Sequence, residues 1–387
     1  MGNFMVRKRI LSIFGTRPEA IKMAPVIKKL EEKSNITSIV AVTAQHREML
    51  DQVLELFSIK PDFDLNIMKP GQDLFDVTVN SLLGLKDIIN RAKPDLILVH
   101  GDTTTCFTGA VAGLYCQIPV AHVEAGLRTG NMYAPFPEEA NRSLVGKIAS
   151  FHFSPTENSR NNLIKEGIDP KKILVTGNTV IDALLDVQKK LPDYNPYDWA
   201  PKLPRNLIDN ITQSESKIIL ITGHRRESFG EGFKNICSAL IQLAKSNSDW
   251  LLIYPVHLNP NVQKPVNELL KKIDNIHLIS PQDYLPFVWL LSQCDLVITD
   301  SGGIQEEAPS LGKPVLVTRN VTERPEAVEA GTVRLVGTSI DKIVQNTVDI
   351  LTNESTYLKM SNCHNPYGDG MASKRIIAYI EENIIGL

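Results

Sequence analysis

The chain has 387 residues, 43% of them hydrophobic and 22% charged, which is the balance of a globular protein too long for one typical core. A net charge of −3 and a pI near 6.3 lack the basic surplus of a nucleic-acid binder, so no such partner is expected. No apolar run approaches the ~18 residues of a membrane helix, so no membrane partner is expected either.

The first nine residues are basic, but the apolar run after them, Ile10 to Phe14, breaks at Gly15. That is the length of a strand and not of a signal peptide. From there strand and helix alternate. Predicted strands are Arg9–Phe14, Ile39–Thr43, Leu96–His100, Val120–Glu124, Phe151–Ser154 and Ile173–Thr176, with helical patterns at Ala20–Glu32, Arg47–Phe57 and Leu74–Arg91. Near-continuous apolar strands are covered on both faces, so a doubly wound parallel sheet is expected. Residues 191–216 break the rhythm: Leu191 to Pro204 carries four prolines and no clear period, which reads as connection.

The pattern then restarts at Lys217–Thr222, Trp250–Pro255, Ile276–Ile279, Asp295–Thr299, Val315–Val317 and Val333–Leu335. The expected fold class is therefore α/β, two Rossmann-like doubly wound domains facing a cleft. Residues 1–185 would form the first domain and 186–371 the second, with the last helix, 372–387, able to pack on either. The five cysteines include no Cys-x-x-Cys pair and read as reduced thiols of a cytoplasmic protein.

Open parallel sheets bind ligands at the carboxyl ends of their strands, so the residues just after each strand belong together. Strand one is followed by Arg17, Pro18 and Glu19, with Lys22 one turn on. Arg17 is either a diphosphate partner or a solvated helix start. After Leu96–His100 comes Asp102, a base or a helix N-cap beside Thr103, Thr104 and Thr105. Glu124 ends a run of apolar neighbours whose burial would raise its pKa; the alternative is a salt bridge to Arg128. Glu138 and Glu139 open a helix, with Arg142 on the same face, and either dipole stabilisation or a catalytic carboxylate explains them.

In the second half, His224, Arg225 and Arg226 follow a buried strand and suit an anion or a proton transfer. His257 ends the next strand, and Arg324 follows a later one. The most informative stretch is 295–307, where a short strand runs into Asp300, Ser301, Gly302 and Gly303 before a helix carrying Glu306 and Glu307. Glycines and bare N–H groups at a helix start favour a diphosphate, and a carboxylate one turn in can accept ribose hydroxyls. The patterns Gly-x-Gly-x-x-Gly, Gly-x-x-x-x-Gly-Lys-Ser/Thr, His-Glu-x-x-His and Gly-x-Ser-x-Gly are absent, which removes support for dinucleotide oxidoreductases, P-loop enzymes, zincins and esterases.

On these residues the chain resembles the bacterial non-hydrolysing UDP-N-acetylglucosamine 2-epimerases. The resemblance rests on Phe14 to Pro25, Thr43 to Leu50, His122 to Gly130, Gly223 to Ser228, Asp300 to Pro309 and His364 to Gly370. It implies a glycosyltransferase-B-like fold, a homodimer and a last helix that crosses back onto the first domain. It implies interconversion of UDP-GlcNAc and UDP-ManNAc for cell-surface polysaccharides, through loss and re-addition of UDP, with no cofactor and no metal. Asp102, Glu124, Glu138 and His224 are carried over as catalytic. Arg17, Lys22, Arg142, Ser301, Gly302, Gly303, Glu307 and Arg324 are carried over as substrate and UDP contacts, and Phe287 either lines the uracil pocket or packs in the core. Gln45, Gln72, Arg225 and His257 match positions for a second, activating UDP-GlcNAc. The competing expectations are a hydrolysing epimerase, a sugar transferase of the same fold and a non-catalytic UDP-sugar sensor.

Overall fold

The computed structural model describes residues 7–44, 47–69, 71–199, 202–213, 215–225 and 229–385. They form two compact units, one running to Ala183 and resuming at Tyr367, the other spanning Leu184–Pro366.

The first unit runs β1 (Lys8–Phe14), α1 (Arg17–Glu31), β2 (Ile36–Val42), α2 (Arg47–Leu56), β3 (Phe63–Asp64), α3 (Leu74–Ala92), β4 (Leu96–His100), α4 (Thr104–Tyr115), β5 (Val120–Val123), α5 (Glu138–Ile148), β6 (Phe151–Ser154), α6 (Glu157–Lys165), β7 (Ile173–Val175) and α7 (Thr179–Lys190), whose last turns pass into the second unit. The strands pair in parallel in the order β3-β2-β1-β4-β5-β6-β7. Ile13 of β1 lies opposite Ala41 on one side and Val99 on the other. The order reverses between β1 and β4, and this switch point opens a crevice at their carboxyl ends. Leu11, Ile13, Ile97 and Val99 pack under α3 and α4 through Leu85, Ile88, Cys106 and Ala110.

The second unit repeats the plan: α8 (Arg205–Gln213), β8 (Ile218–Thr222), α9 (Glu231–Ser246), β9 (Leu251–Pro255), α10 (Pro260–Leu270), β10 (Ile276–Ile279), α11 (Tyr284–Gln293), β11 (Leu296–Thr299), α12 (Gly302–Ser310), β12 (Val315–Val317), α13 (Pro325–Glu329), β13 (Val333–Leu335), α14 (Ile340–Thr352) and α15 (Glu354–Ser361). Its sheet is parallel in the order β10-β9-β8-β11-β12-β13, with the switch point between β8 and β11. Ile219, Ile221, Leu252, Leu296 and Ile298 meet Phe233 and Leu240 of α9 in its core.

The stretch 191–216 is more than connection. Its proline-rich start makes short 3₁₀ turns, and α8 follows, burying Leu207, Ile208 and Ile211. That spacing is one helical face, but it is too short a run to stand out beside four prolines. The final helix, α16 (Ala372–Ile380), belongs to the first unit. Asp182 of α7 accepts from the backbone N–H of Ala372 (3.1 Å) and Ser373 (2.8 Å) at its start. Tyr379 sets its ring edge-on to Phe151 and Phe153.

On α3, Phe75, Val79 and Leu83 lie on one exposed stripe, at 81%, 53% and 61% exposure. Among the described residues no helix is long and apolar enough to cross a membrane.

Candidate active site

The first unit gathers its acidic groups at the carboxyl ends of β1, β4 and β5. Glu124 follows β5 with φ of +63°, a left-handed conformation that a side chain rarely adopts and that surroundings must enforce. Its Oε2 accepts a hydrogen bond from Lys22 Nζ, forming a nearly buried ion pair, and another from Asn178 Nδ2 at 2.7 Å. The alternative partner, Arg128, is bound instead to Glu166 at 2.7 and 2.9 Å.

Asp102 does not cap α4. Thr103 does, accepting from Cys106 N at 3.1 Å. Asp102 Oδ2 instead accepts from Arg142. Burial pushes its carboxyl above the usual range, against the pull of Arg142. Arg142 is buried and shared, donating also to Glu139 Oε2 at 3.2 Å. Of the two glutamates that open α5, Glu139 is the structural one, since its Oε1 accepts from the backbone of Thr129 and Gly130, each at 3.0 Å. Glu138 has a buried Oε2 with no hydrogen-bond partner among the described residues. Lys22, His100, Asp102, Thr103, Glu124 and Glu138 border one cavity of about 350 Å³. Arg17 stands at the first position of α1, between Thr16 and Pro18, which border the same cavity.

Three residues of this site had no role assigned from the sequence. Glu19 is buried and ties two loops together, accepting from Gly15 N (3.0 Å), Thr16 N (2.9 Å) and Thr16 Oγ1 (2.8 Å) in one and Thr103 Oγ1 (2.6 Å) in the other. Loss of water pushes its carboxyl up to about 7, with those four bonds opposing. His100 lies 3.9 Å from Glu124 Oε2, and burial holds its imidazole down at about 4, so it is neutral. Asn178 is the third. The signal for Glu19 was the Thr-x-x-Glu spacing, which reads first as a capping box; His100 and Asn178 had only their places beside strand ends.

The second unit places its candidates around β8, β9 and β11. Asp300 Oδ2 accepts from the backbone N–H of His224 (2.7 Å) and Arg225 (2.8 Å). The imidazole of His257 stacks on that of His224, with centroids 5.2 Å apart and planes 18° from parallel. Burial lowers the pKa of His224; the Asp300 carboxylate opposes this, and His257 and Arg225 add to it. Ser301 is the N-cap of α12, yet its hydroxyl makes no capping bond. Gly302 faces Arg324, whose guanidinium would be 3.8 Å from an added Cβ. Arg324 is ion-paired with buried Glu306, while Glu307 Oε1 accepts from Tyr284 Oη at 2.8 Å. The two carboxylates of this helix therefore have different partners. Phe287 is half-buried on α11. Gln72 lies in the turn before α3, where its Oε1 accepts from Lys69 N at 2.8 Å, and Gln45 lies outside the described residues. Among the described residues no cluster of His, Cys, Asp or Glu is placed to hold a metal.

A sequence profile of the family described as UDP-N-acetylglucosamine 2-epimerase matches residues 28–381. The chain is 57% identical to the UDP-N-acetylglucosamine 2-epimerase of Yersinia pestis over 98% of its own length and 100% of that protein's. Its structure is similar to the UDP-GlcNAc 2-epimerase of Neisseria meningitidis crystallised with UDP-GlcNAc, with a TM-score of 0.87, 52% identity and coverage of 97% and 100% of the two chains. It is also similar to the Methanocaldococcus jannaschii UDP-GlcNAc 2-epimerase in complex with UDP-GlcNAc and UDP, with a TM-score of 0.78, 34% identity and coverage of 96% and 99%. Built from two Rossmann-type units and matched over nearly its whole length, the chain is an enzyme of the UDP-N-acetylglucosamine 2-epimerase family.

Proposed function

We propose that the chain interconverts UDP-GlcNAc and UDP-ManNAc without net hydrolysis, by elimination and re-addition of UDP. The hydrogen at C2 has no neighbouring carbonyl, so direct deprotonation is too hard. In the proposed sequence the C1–O bond breaks first and UDP leaves with its electron pair. A carboxylate then takes the C2 proton from the cation-like sugar, and a C1–C2 double bond forms, giving 2-acetamidoglucal. UDP adds back at C1 while a second acid delivers a proton to the other face of C2.

The observation that carries this reading is four carboxyl groups bordering one cavity, of which Glu19 is tied to the loops on either side and the other three stand in different environments. Burial favours the protonated form of Asp102, Glu124 is held by an ammonium and an amide, and one oxygen of Glu138 is buried without a partner. Separate environments let one carboxyl give a proton while another takes one. Arg17, Lys22, Arg142 and His224 supply positive charge or N–H donors. Ser301, Gly302, Gly303 and Arg324 suit the departing diphosphate, Glu307 the ribose and Phe287 the base.

A second copy of the chain is the proposed partner, with the α3 stripe as the surface it covers. A second UDP-GlcNAc at Gln45, Gln72, Arg225 and His257 is the proposed activator. Action in the cytoplasm suits five free cysteines and a nucleotide-sugar substrate. Products supply polysaccharide assembly. Prolonged incubation followed by mass spectrometry tests the reading: UDP and 2-acetamidoglucal should leak out in equal amounts beside UDP-ManNAc. Free ManNAc accumulating in step with UDP, without UDP-ManNAc, would show a hydrolysing enzyme instead.

A further inference from the structure

Asp300 follows β11 and is fully buried. Its Oδ2 is occupied by the backbone N–H groups of His224 and Arg225. Among the described residues its Oδ1 has no hydrogen-bond partner, and it lies 3.4 Å from His224 Nδ1. An unpaired buried carboxylate oxygen bears its full desolvation cost, and a small turn of the imidazole would relieve it. The same carboxylate thus holds the backbone of His224 and faces its ring. His257 stacks on that ring, and its own Nδ1 accepts from Asn259 N at 3.1 Å, so His257 does not compete as a donor from that nitrogen.

We propose that Asp300 is a positioning residue for His224: its Oδ1 takes the Nδ1–H, which fixes the tautomer and the ring so that Nε2 faces the substrate. This rests on the proposed catalytic role of His224 only for its consequence in turnover. In the neutral ring Nε2 carries the lone pair and accepts a proton. In the charged ring Nε2–H donates to an anion while Asp300 balances the charge.

The substitution Asp300→Asn gives a directional test. Its amide oxygen must occupy the Oδ2 place, because two backbone N–H groups point there. Its NH₂ then faces His224 Nδ1, which has to accept, so the tautomer reverses to Nε2–H. The full chain labelled with ¹⁵N-histidine, its His224 signal assigned by loss in His224→Gln, reads this directly. Wild type should show a protonated Nδ1 and a bare Nε2 in the neutral ring, and D300N the reverse. D300N should also lower kcat roughly hundredfold, the low end for a positioned proton-transfer group, with KM changed little. In a His224→Gln background the same change should cost almost nothing. A wild-type ring in the Nε2–H form, or a D300N pattern like wild type, overturns the pairing. Should D300N fail to fold, the wild-type tautomer alone decides. Reversal of the tautomer with full turnover would keep the pairing and overturn the role of His224 in the reaction.

Discussion

Glu19 links a buried charge to a measurable slope in stability. Its carboxyl stands at about 7 in the folded protein against an ordinary value of 4.5, raised by burial. Between those two values the folded state keeps a proton that the unfolded chain has lost. The contribution of Glu19 to stability therefore falls as pH rises through that window, by about 3 kcal/mol in full. Urea unfolding at a series of pH values should show this slope in wild type and a flatter one in Glu19→Gln; equal slopes would contradict it. Glu124→Gln should leave UDP binding near wild type and lower kcat by about 10²–10⁴-fold, read by steady-state kinetics beside a UDP titration. The sequence made the strand-end acids legible as candidates because they recur at the ends of successive apolar strands, where open parallel sheets bind ligands. Glu138 was chosen over Glu139 on the family resemblance, since both sit in one helical turn, and the fold adds that Glu139 is tied to the Thr129–Gly130 backbone. Glu19 stayed hidden because its capping-box spacing is satisfied by an ordinary helix start.

At the scale of elements, the loop after β1 is set by close packing against the end of β2 and the start of α4. A Cβ on Gly15 would stand 2.0 Å from Thr43 Oγ1 and 2.5 Å from Thr105 Oγ1, the two hydroxyls that bond each other at 2.8 Å. Gly15→Ala must force that pair apart, and roughly 1–3 kcal/mol of stability should be lost, seen as a lower urea midpoint. Activity should fall as well, because the same loop leads into α1, where Arg17 stands first and Glu19 accepts from Gly15 N. Most strands were legible to within a residue or a few, since buried parallel strands leave long apolar runs. The two-residue β3 and the nine-residue α8 were not. A strand of two residues has no period to read, and α8 depends on Leu207, Ile208 and Ile211 finding a core that lies elsewhere in the chain.

The whole molecule consists of two units with their own sheets and cores, joined through α7 and again where the chain returns at Tyr367. Periodicity showed two similar halves; it left the last helix unassigned, and long-range contacts such as Asp182 with Ser373 place it on the first unit. The exposed stripe on α3 gives the assembly a test. Val79→Glu with Leu83→Glu should convert a dimer to a monomer in sedimentation velocity, with stability changed by only about 0.5 kcal/mol, because both side chains are already exposed. A wild-type monomer would refute the pairing. The most direct test of the chemistry is proton NMR of the enzyme with UDP-GlcNAc in deuterated water, following the anomeric signals, the C2 hydrogen and free UDP. UDP-ManNAc carrying deuterium at C2, with little free sugar, is the expected result. UDP-ManNAc that keeps its original hydrogen at C2 would contradict proton removal by a carboxylate open to exchange, and free ManNAc in place of UDP-ManNAc would contradict re-addition of UDP.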